Sequence, residues 1–69
     1  MPLLSIVIPV FNEGENIRQA ISAITSSVKY EHDILVVYDF DEDNTLPVVR
    51  EILSGQENIS LVKNKYGRG

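Results

Sequence analysis

ILVVYDFDEDNT, residues 34–45, is the stretch that decides the fold class of this chain. It opens on apolar residues with no polar alternation, a pattern typical of a strand buried on both faces of a parallel sheet. Four acids then follow within five positions. Ligands bind at the carboxyl ends of the strands in open α/β sheets, so Asp39, the first acid after the strand, is a candidate binding residue. Most of the acids Asp41, Glu42 and Asp43 are expected to lie in a solvated turn.

Two helices and two further strands are predicted around this second strand, which spans residues 34–38. The apolar run at 3–10 predicts the first strand, and residues 59–62 predict a short third strand. Apolar residues at spacings of three and four predict amphipathic helices at 16–28 and 46–53. The order of elements is therefore β-α-β-α-β.

The residues before each predicted helix suggest how it begins. Asn12 is a candidate N-cap for the first helix, with Glu15 three residues later in the relation of a capping box. Asn44 or Thr45 is expected to cap the second helix, and Pro47 suits the first turn because no amide donor is needed there.

This order predicts an α/β fold with a parallel sheet and right-handed crossovers. If the strands lie in the order three, two, one, both helices cover the same face of the sheet. The other face, with residues such as Val7, Leu35 and Val37, is then bare. We therefore expect residues 1–69 to be one half of a larger α/β domain, and the isolated chain to self-associate through the bare face or an open strand edge.

Composition narrows the class of protein. The 69 residues are 43% hydrophobic and 23% charged, as in an ordinary globular domain, and the net charge is -4. An excess of acids argues against nucleic acid as a partner, and the lack of cysteine excludes disulfides and thiolate metal sites. The single histidine, His32, is expected in a solvated loop. With no apolar run of about 20 residues and no signal-peptide pattern, a cytoplasmic location is expected.

The first turn argues against the common phosphate-binding folds. Residues 9–16 contain one glycine and two acids, so they lack the glycine-rich turn of a dinucleotide-binding fold and the Gly-Lys-Ser/Thr of a P-loop. A receiver-type domain needs an acid pair after the first strand, which Asn12-Glu13 matches poorly. A non-catalytic α/β binding or signalling module is the alternative reading, and it should carry its functional acid at the end of the third strand.

Three motifs together resemble the family-2 glycosyltransferases, which have the A-type glycosyltransferase fold. SIVIPVFNE at 5–13, followed by Asn16-Ile17, is similar to the opening of that family. Residues 36–45 are similar to its Val-Val-Asp-Asp-Gly-Ser-x-Asp-Gly-Thr segment, with Asp39, Asp43 and Thr45 on the second Asp, the later Asp and the Thr. Asn64-x-x-Gly67-x-Gly69 resembles its Asn-x-Gly-x-Gly segment. Within the family, the polyprenyl-phosphate sugar transferases look closest.

The resemblance implies that the chain is the N-terminal, nucleotide-binding part of a Rossmann-like domain that uses a UDP- or GDP-linked sugar. Pro9, Val10 and Phe11 would border the base and ribose, and Glu13 would accept hydrogen bonds from ribose hydroxyls. A base N–H would donate to Asp39, and Arg68 would approach the nucleotide. The residues also allow plainer roles: packing for Phe11, helix capping for Glu13, and no ligand for Asp39.

The chain departs from the family pattern at Tyr38, which stands at the first Asp, and at Phe40-Asp41, which replace Gly-Ser. The family's Asp-x-Asp metal motif and catalytic base are expected beyond residue 69. The acidic strings at 39–43 follow the wrong strand for that motif and are expected to be unrelated to metal. The resemblance thus implies Mg or Mn and a polyprenyl-phosphate or glycan acceptor for the full-length protein, with peripheral membrane contact. It implies no catalytic residue and no activity for this chain alone.

Overall fold

The computed structural model describes residues 4–64 and has the predicted α/β order. Neither helix in this range has the length and hydrophobicity that a membrane-spanning segment requires. The elements, in chain order, are β1 (Leu4–Pro9), α1 (Ile17–Ser27), β2 (His32–Tyr38), α2 (Thr45–Leu53) and β3 (Ile59–Lys63).

The sheet has three parallel strands in the order β1-β2-β3, which confirms the predicted arrangement. The central strand, β2, pairs its Val37 with Pro9 on one side and with Val62 on the other. These three residues form the last full row of the sheet at its carboxyl edge. The loops that follow β1 and β2 therefore leave the sheet side by side.

One face of the sheet carries the core. Ile34 and Val36 of β2 are fully buried there, while Val49 of α2 is 0% exposed against them. The β-branched side chains at alternate strand positions form the sheet side of this core, and the amphipathic stripes of the two helices form the other side. The buried apolar residues of this core are Val10, Ile17, Ile21, Ile34, Val36, Val49 and Ile59.

The opposite face is uncovered within residues 4–64, as the sequence predicts. Val7 is 58% exposed and Val62 is 40% exposed. Leu35 and Val37 of the central strand lie between them and are only partly buried. This leaves a continuous apolar surface on one side of the sheet.

Two details near the strand and helix starts differ from the predictions. The strand β2 begins at His32, which pairs with Leu4, so the expectation of a solvated loop at His32 is wrong. The side-chain amide of Asn58 donates to the His32 carbonyl at 3.2 Å and supports this early start.

The expected capping box at Asn12 and Glu15 is also wrong. The helix α1 begins at Ile17 with Asn16 as N-cap, and no side-chain cap is present. The backbone carbonyl of Glu13 accepts the N–H groups of Asn16 and Ile17 instead, at 2.9 and 2.8 Å. Asn12 is engaged with residues far along the chain, so its side chain is not available to the helix.

We predict that the isolated chain self-associates through the bare face. Covering on the order of several hundred Å² of apolar surface, at about 25 cal/mol per Å², is worth several kcal/mol. The substitution Val7→Lys puts a charge on that face and should weaken association by about tenfold or more. Sedimentation over a wide concentration range, paired with a dye that reports exposed apolar surface, measures this.

The matched control is Ser22→Lys, which adds the same charge on the exposed surface of α1 and should leave association unchanged. A wild-type chain that stays monomeric at high concentration and binds no dye would contradict the prediction.

Candidate functional site

The carboxyl edge of the sheet brings together the loops after β1 and β2. We call residues 10–16 the first loop and residues 39–44 the second loop. The sheet's hydrogen bonding extends past both strand ends, because the Val10 N–H donates to the Val37 carbonyl at 2.9 Å and the Asn64 N–H donates to the Tyr38 carbonyl at 2.7 Å. Both loops therefore start from a rigid base.

Three successive backbone N–H groups of the first loop donate to side-chain oxygens of residues 43–45, which we call the clamp. The pairs are Asn12 to both carboxylate oxygens of Asp43 at 3.1 Å, Glu13 to the Thr45 hydroxyl at 2.8 Å, and Gly14 to the Asn44 side-chain carbonyl at 2.8 Å. The Asn44 N–H returns a bond to the side-chain oxygen of Asn12 at 3.1 Å. The two loops are thus joined in both directions.

The residue types at Asn12 and Gly14 suit this close contact. Asn12 has a φ of 50°, in the left-handed region, which asparagine tolerates better than most residues. A Cβ atom at Gly14 would lie 2.7 Å from the backbone oxygen of Asn44, a distance that real Cβ atoms do not reach. Only glycine lets the first loop approach the clamp this closely.

Asp43 is the buried charge at the centre of the clamp, with only 2% of its surface exposed. Burial raises the pKa of Asp43, but hydrogen bonds from the Thr45 side chain, the Thr45 backbone and the Asn12 backbone together lower that pKa below its ordinary value. The bond from the Thr45 N–H is 2.8 Å long and places Asp43 at the start of α2. Asp43 is therefore not part of the solvated turn that was expected for most of these acids, whereas Asp41 and Glu42 are exposed as expected.

The clamp also bears on what the first loop can bind. Successive backbone N–H groups in a tight loop form a concavity that attracts anions. Here the N–H groups of Asn12, Glu13 and Gly14 donate to Asp43, Thr45 and Asn44. In a glycine-rich loop such N–H groups bind a phosphate, whereas here they donate to the chain's own carboxylate and polar side chains. This agrees with the sequence argument against such folds.

The residues predicted in the first loop have different exposures. Pro9 is exposed at the end of β1, and Glu13 is partly buried. Phe11 is 48% exposed, and its ring centroid lies 5.6 Å from that of Phe40 in the second loop, with the ring planes tilted by 57°. Val10 is only 6% exposed. Because its side chain lies in the core, only the main chain of Val10 is available for the predicted contact with a nucleotide.

Asp39 and Asp41 of the second loop have different partners. Asp39 is partly buried, and its Oδ1 accepts a hydrogen bond from the Asn64 side-chain amide at 3.1 Å. Asp41 lies at the surface, where Lys63 Nζ is 3.0 and 3.1 Å from its two carboxylate oxygens. Arg68, the last of the predicted site residues, lies outside the described range.

Comparison with known proteins decides the family. The model of glycosyl transferase family 2 matches residues 5–69. The chain belongs to this family. The predicted resemblance is therefore confirmed, and the parallel β-α-β-α-β sheet agrees with the N-terminal half of its Rossmann-like domain.

Three relatives are similar to this chain over most of its length. Glycosyltransferase AglE of Haloferax volcanii is 33% identical over 64 residues, covering 90% of this chain. An uncharacterized glycosyltransferase of Haemophilus influenzae is 31% identical over 68 residues, covering 99%. The undecaprenyl-phosphate 4-deoxy-4-formamido-L-arabinose transferase of Pseudomonas fluorescens is 31% identical over 71 residues, covering 94%.

The chain spans 21% of the length of each of these relatives. No solved structure matches the chain at a significant level.

Sequence reasoning missed the clamp, although the family-2 pattern contained a signal for it. Asp43 and Thr45 fall on the later Asp and the Thr of that pattern, and the structure makes them the residues that hold the first loop. Asn44 stands where the pattern has Gly, and its side chain adds the contact to Gly14. By local rules, polar residues at the start of a helix are expected to cap that helix. Those rules do not predict a contact with a loop 30 residues earlier in the chain.

We predict that acid destabilises the chain in part through Asp43. Its folded-state pKa lies below the ordinary value of 3.8, so the unfolded chain binds more protons as the pH falls through this region. The stabilisation is complete above the ordinary value and is lost as the pH falls through the lowered folded pKa. Asp43→Asn should lower the free energy of unfolding at neutral pH by about 1.5–3 kcal/mol. Between about pH 4 and about pH 2, the further decrease in the free energy of unfolding should be smaller for this variant than for the wild type.

Chemical denaturation at a series of pH values measures both effects. Asp41→Asn is the matched control, since this exposed acid has only a surface ion pair and should stay near the wild type. Parallel stability curves for Asp43→Asn and the wild type at all pH values would contradict the role of the buried carboxylate.

Proposed function

We propose that the chain is the nucleotide-binding, N-terminal part of a glycosyltransferase that transfers a sugar from a nucleotide sugar. Membership of family 2 supports the class of reaction. The observation that carries the proposal is that Phe11, Glu13 and Asp39 lie in the two loops that leave the carboxyl edge of β1 and β2, where ligands bind in open parallel sheets.

The side chains at this edge suit a base and ribose better than a diphosphate. Asp39 supplies a carboxylate that accepts hydrogen bonds, as a base N–H requires, and Glu13 can accept from ribose hydroxyls. A carboxylate accepts up to about four hydrogen bonds, so the bond from Asn64 to Asp39 is compatible with one from a base. Phe11 and Pro9 offer exposed apolar surface beside these acceptors. Arg68 remains a proposed contact of the nucleotide.

A divalent ion, Mg or Mn, is proposed to be held by residues outside this chain. Among residues 4–64, no group of three or more His, Cys, Asp or Glu side chains is placed to hold a metal. In the second loop, Asp43 serves backbone donors and Asp41 faces Lys63. We accordingly propose that this chain alone is inactive and that the metal and the catalytic base belong to the remainder of a full-length protein.

A polyprenyl phosphate or a glycan is the proposed acceptor. One relative is named as an undecaprenyl-phosphate arabinose transferase, which supports a lipid-linked substrate of this kind. We further propose that the full-length protein works in the cytoplasm or at the cytoplasmic face of a membrane, since nucleotide sugars are the proposed donors.

Asp39 gives the most direct test of the nucleotide site. In the full-length protein, Asp39→Ala should weaken binding of UDP or GDP by about 1.5–3 kcal/mol, the value of a hydrogen bond to a charged group. That corresponds to a roughly tenfold to 150-fold larger dissociation constant, measurable by titration calorimetry.

Asp41→Ala is the matched control, because it removes an acid two residues away whose partner is a surface lysine. It should bind the nucleotide as the wild type does. Equal affinities of folded wild type and Asp39→Ala would remove Asp39 from the site. Equal losses of affinity in Asp39→Ala and Asp41→Ala would mean that the loss of a negative charge, and not of Asp39 in particular, weakens binding.

A further inference from the structure

We propose that the clamp positions the nucleotide site, with Thr45 and Asp43 acting as positioning residues that hold Phe11 and Glu13 in place without touching the ligand. This inference rests on the proposed function and deepens it. It concerns residues 43–45, to which the sequence analysis gave no part in nucleotide binding.

The geometry of the first loop leads to this assignment. Asn12 stands between Phe11 and Glu13 and has its backbone in the left-handed region, with a φ of 50°. The direction in which the chain leaves β1 therefore depends on an uncommon backbone state. The N–H of Asn12 donates to Asp43, and its side-chain oxygen accepts from the Asn44 N–H, so two contacts oppose a return to negative φ.

Glu13 is held by the same device. Its N–H donates to the Thr45 hydroxyl at 2.8 Å, and its carbonyl accepts the first N–H groups of α1. Because the N–H and the carbonyl of Glu13 are both bonded, the direction in which its side chain leaves the backbone is fixed. A functional side chain that must meet a ligand depends on such support from its neighbours.

Asp43 and Thr45 of the clamp are suited to this task because both are buried. Thr45 is 0% exposed and Asp43 is 2% exposed, and the next residue, Leu46, is 1% exposed. Thr45 opens α2, so its hydroxyl is held by a helix and not by a mobile loop. Asp43 and Thr45 lie beneath the first loop and not at the surface, which separates them from residues that could contact a ligand.

The test uses two substitutions at Thr45 in the full-length protein. Thr45→Val keeps the shape but removes the hydroxyl, which accepts the Glu13 N–H and also bonds Asp43, whereas Thr45→Ser keeps the hydroxyl. Thr45→Val should raise the dissociation constant of UDP or GDP by about fivefold to tenfold, because the Glu13 N–H loses its hydrogen bond. Thr45→Ser should restore most of the wild-type affinity.

A loss of stability alone must be separated from a loss of positioning. Val49→Ala removes buried apolar volume from α2, in the core and away from the carboxyl edge, and serves as the destabilised control. It should lower the melting temperature while the folded protein binds the nucleotide as tightly as the wild type. If Thr45→Val and Val49→Ala, each measured well below its melting temperature, bind equally well, the positioning role is overturned.

Asn44→Ala provides a second variant should Thr45→Val not fold. Asn44 is exposed, and its side-chain carbonyl accepts the Gly14 N–H, so its loss should loosen the first loop without disturbing the core. About threefold weaker nucleotide binding is expected, and unchanged binding would overturn the inference.

Failure of the proposed function has a different signature. If the wild type does not bind a nucleoside diphosphate, or if Asp39→Ala binds it as tightly as the wild type, the nucleotide site itself is wrong. If the wild type binds and Asp39→Ala does not, but Thr45→Val and Asn44→Ala bind normally, only the positioning inference is wrong.

Discussion

The carboxylate of Asp43 accepts the Asn12 N–H through both of its oxygens at 3.1 Å, and this partly buried contact joins the loops that follow β1 and β2. An ionised carboxylate is expensive to bury unless its hydrogen bonds are made. Here donors come from Asn12 and from the backbone and side chain of Thr45. The same group therefore stabilises the start of α2 and holds the first loop. Loosening either contact leaves a charge buried with too few partners.

This arrangement joins stability and function in one small region. Thr45 is the first residue of α2, and its hydroxyl accepts the Glu13 N–H, so the start of this helix holds the first loop. The candidate site consequently depends on residues that lie under it as well as on those that face solvent. The bare face of the sheet takes no part in the clamp, and its apolar surface bears on self-association.

Much of the fold could be predicted, because each element carries its own pattern. The unbroken apolar run at β2 indicated a strand in a parallel sheet, and apolar spacings of three and four indicated two helices on one face. The prediction failed where a residue's partner is distant in sequence. Asn12 looked like a helix cap by local rules, but its partners are 31 and 32 residues away. Asp43 looked like a solvated acid, because burial of a charge depends on donors that no local pattern identifies.

The nucleotide-binding residues remain predictions. Asp39 was proposed because it is the first acid after a strand and Phe11 because of the family resemblance, whereas no local pattern indicated the clamp. Binding of a nucleotide at the clamped carboxyl edge can be tested by an NMR titration of the full-length protein with UDP and GDP. The largest amide shifts are expected at Phe11, Glu13 and Asp39. Shifts confined to the opposite edge of the sheet, near Glu31 and Asn58, would contradict nucleotide binding at the clamped edge.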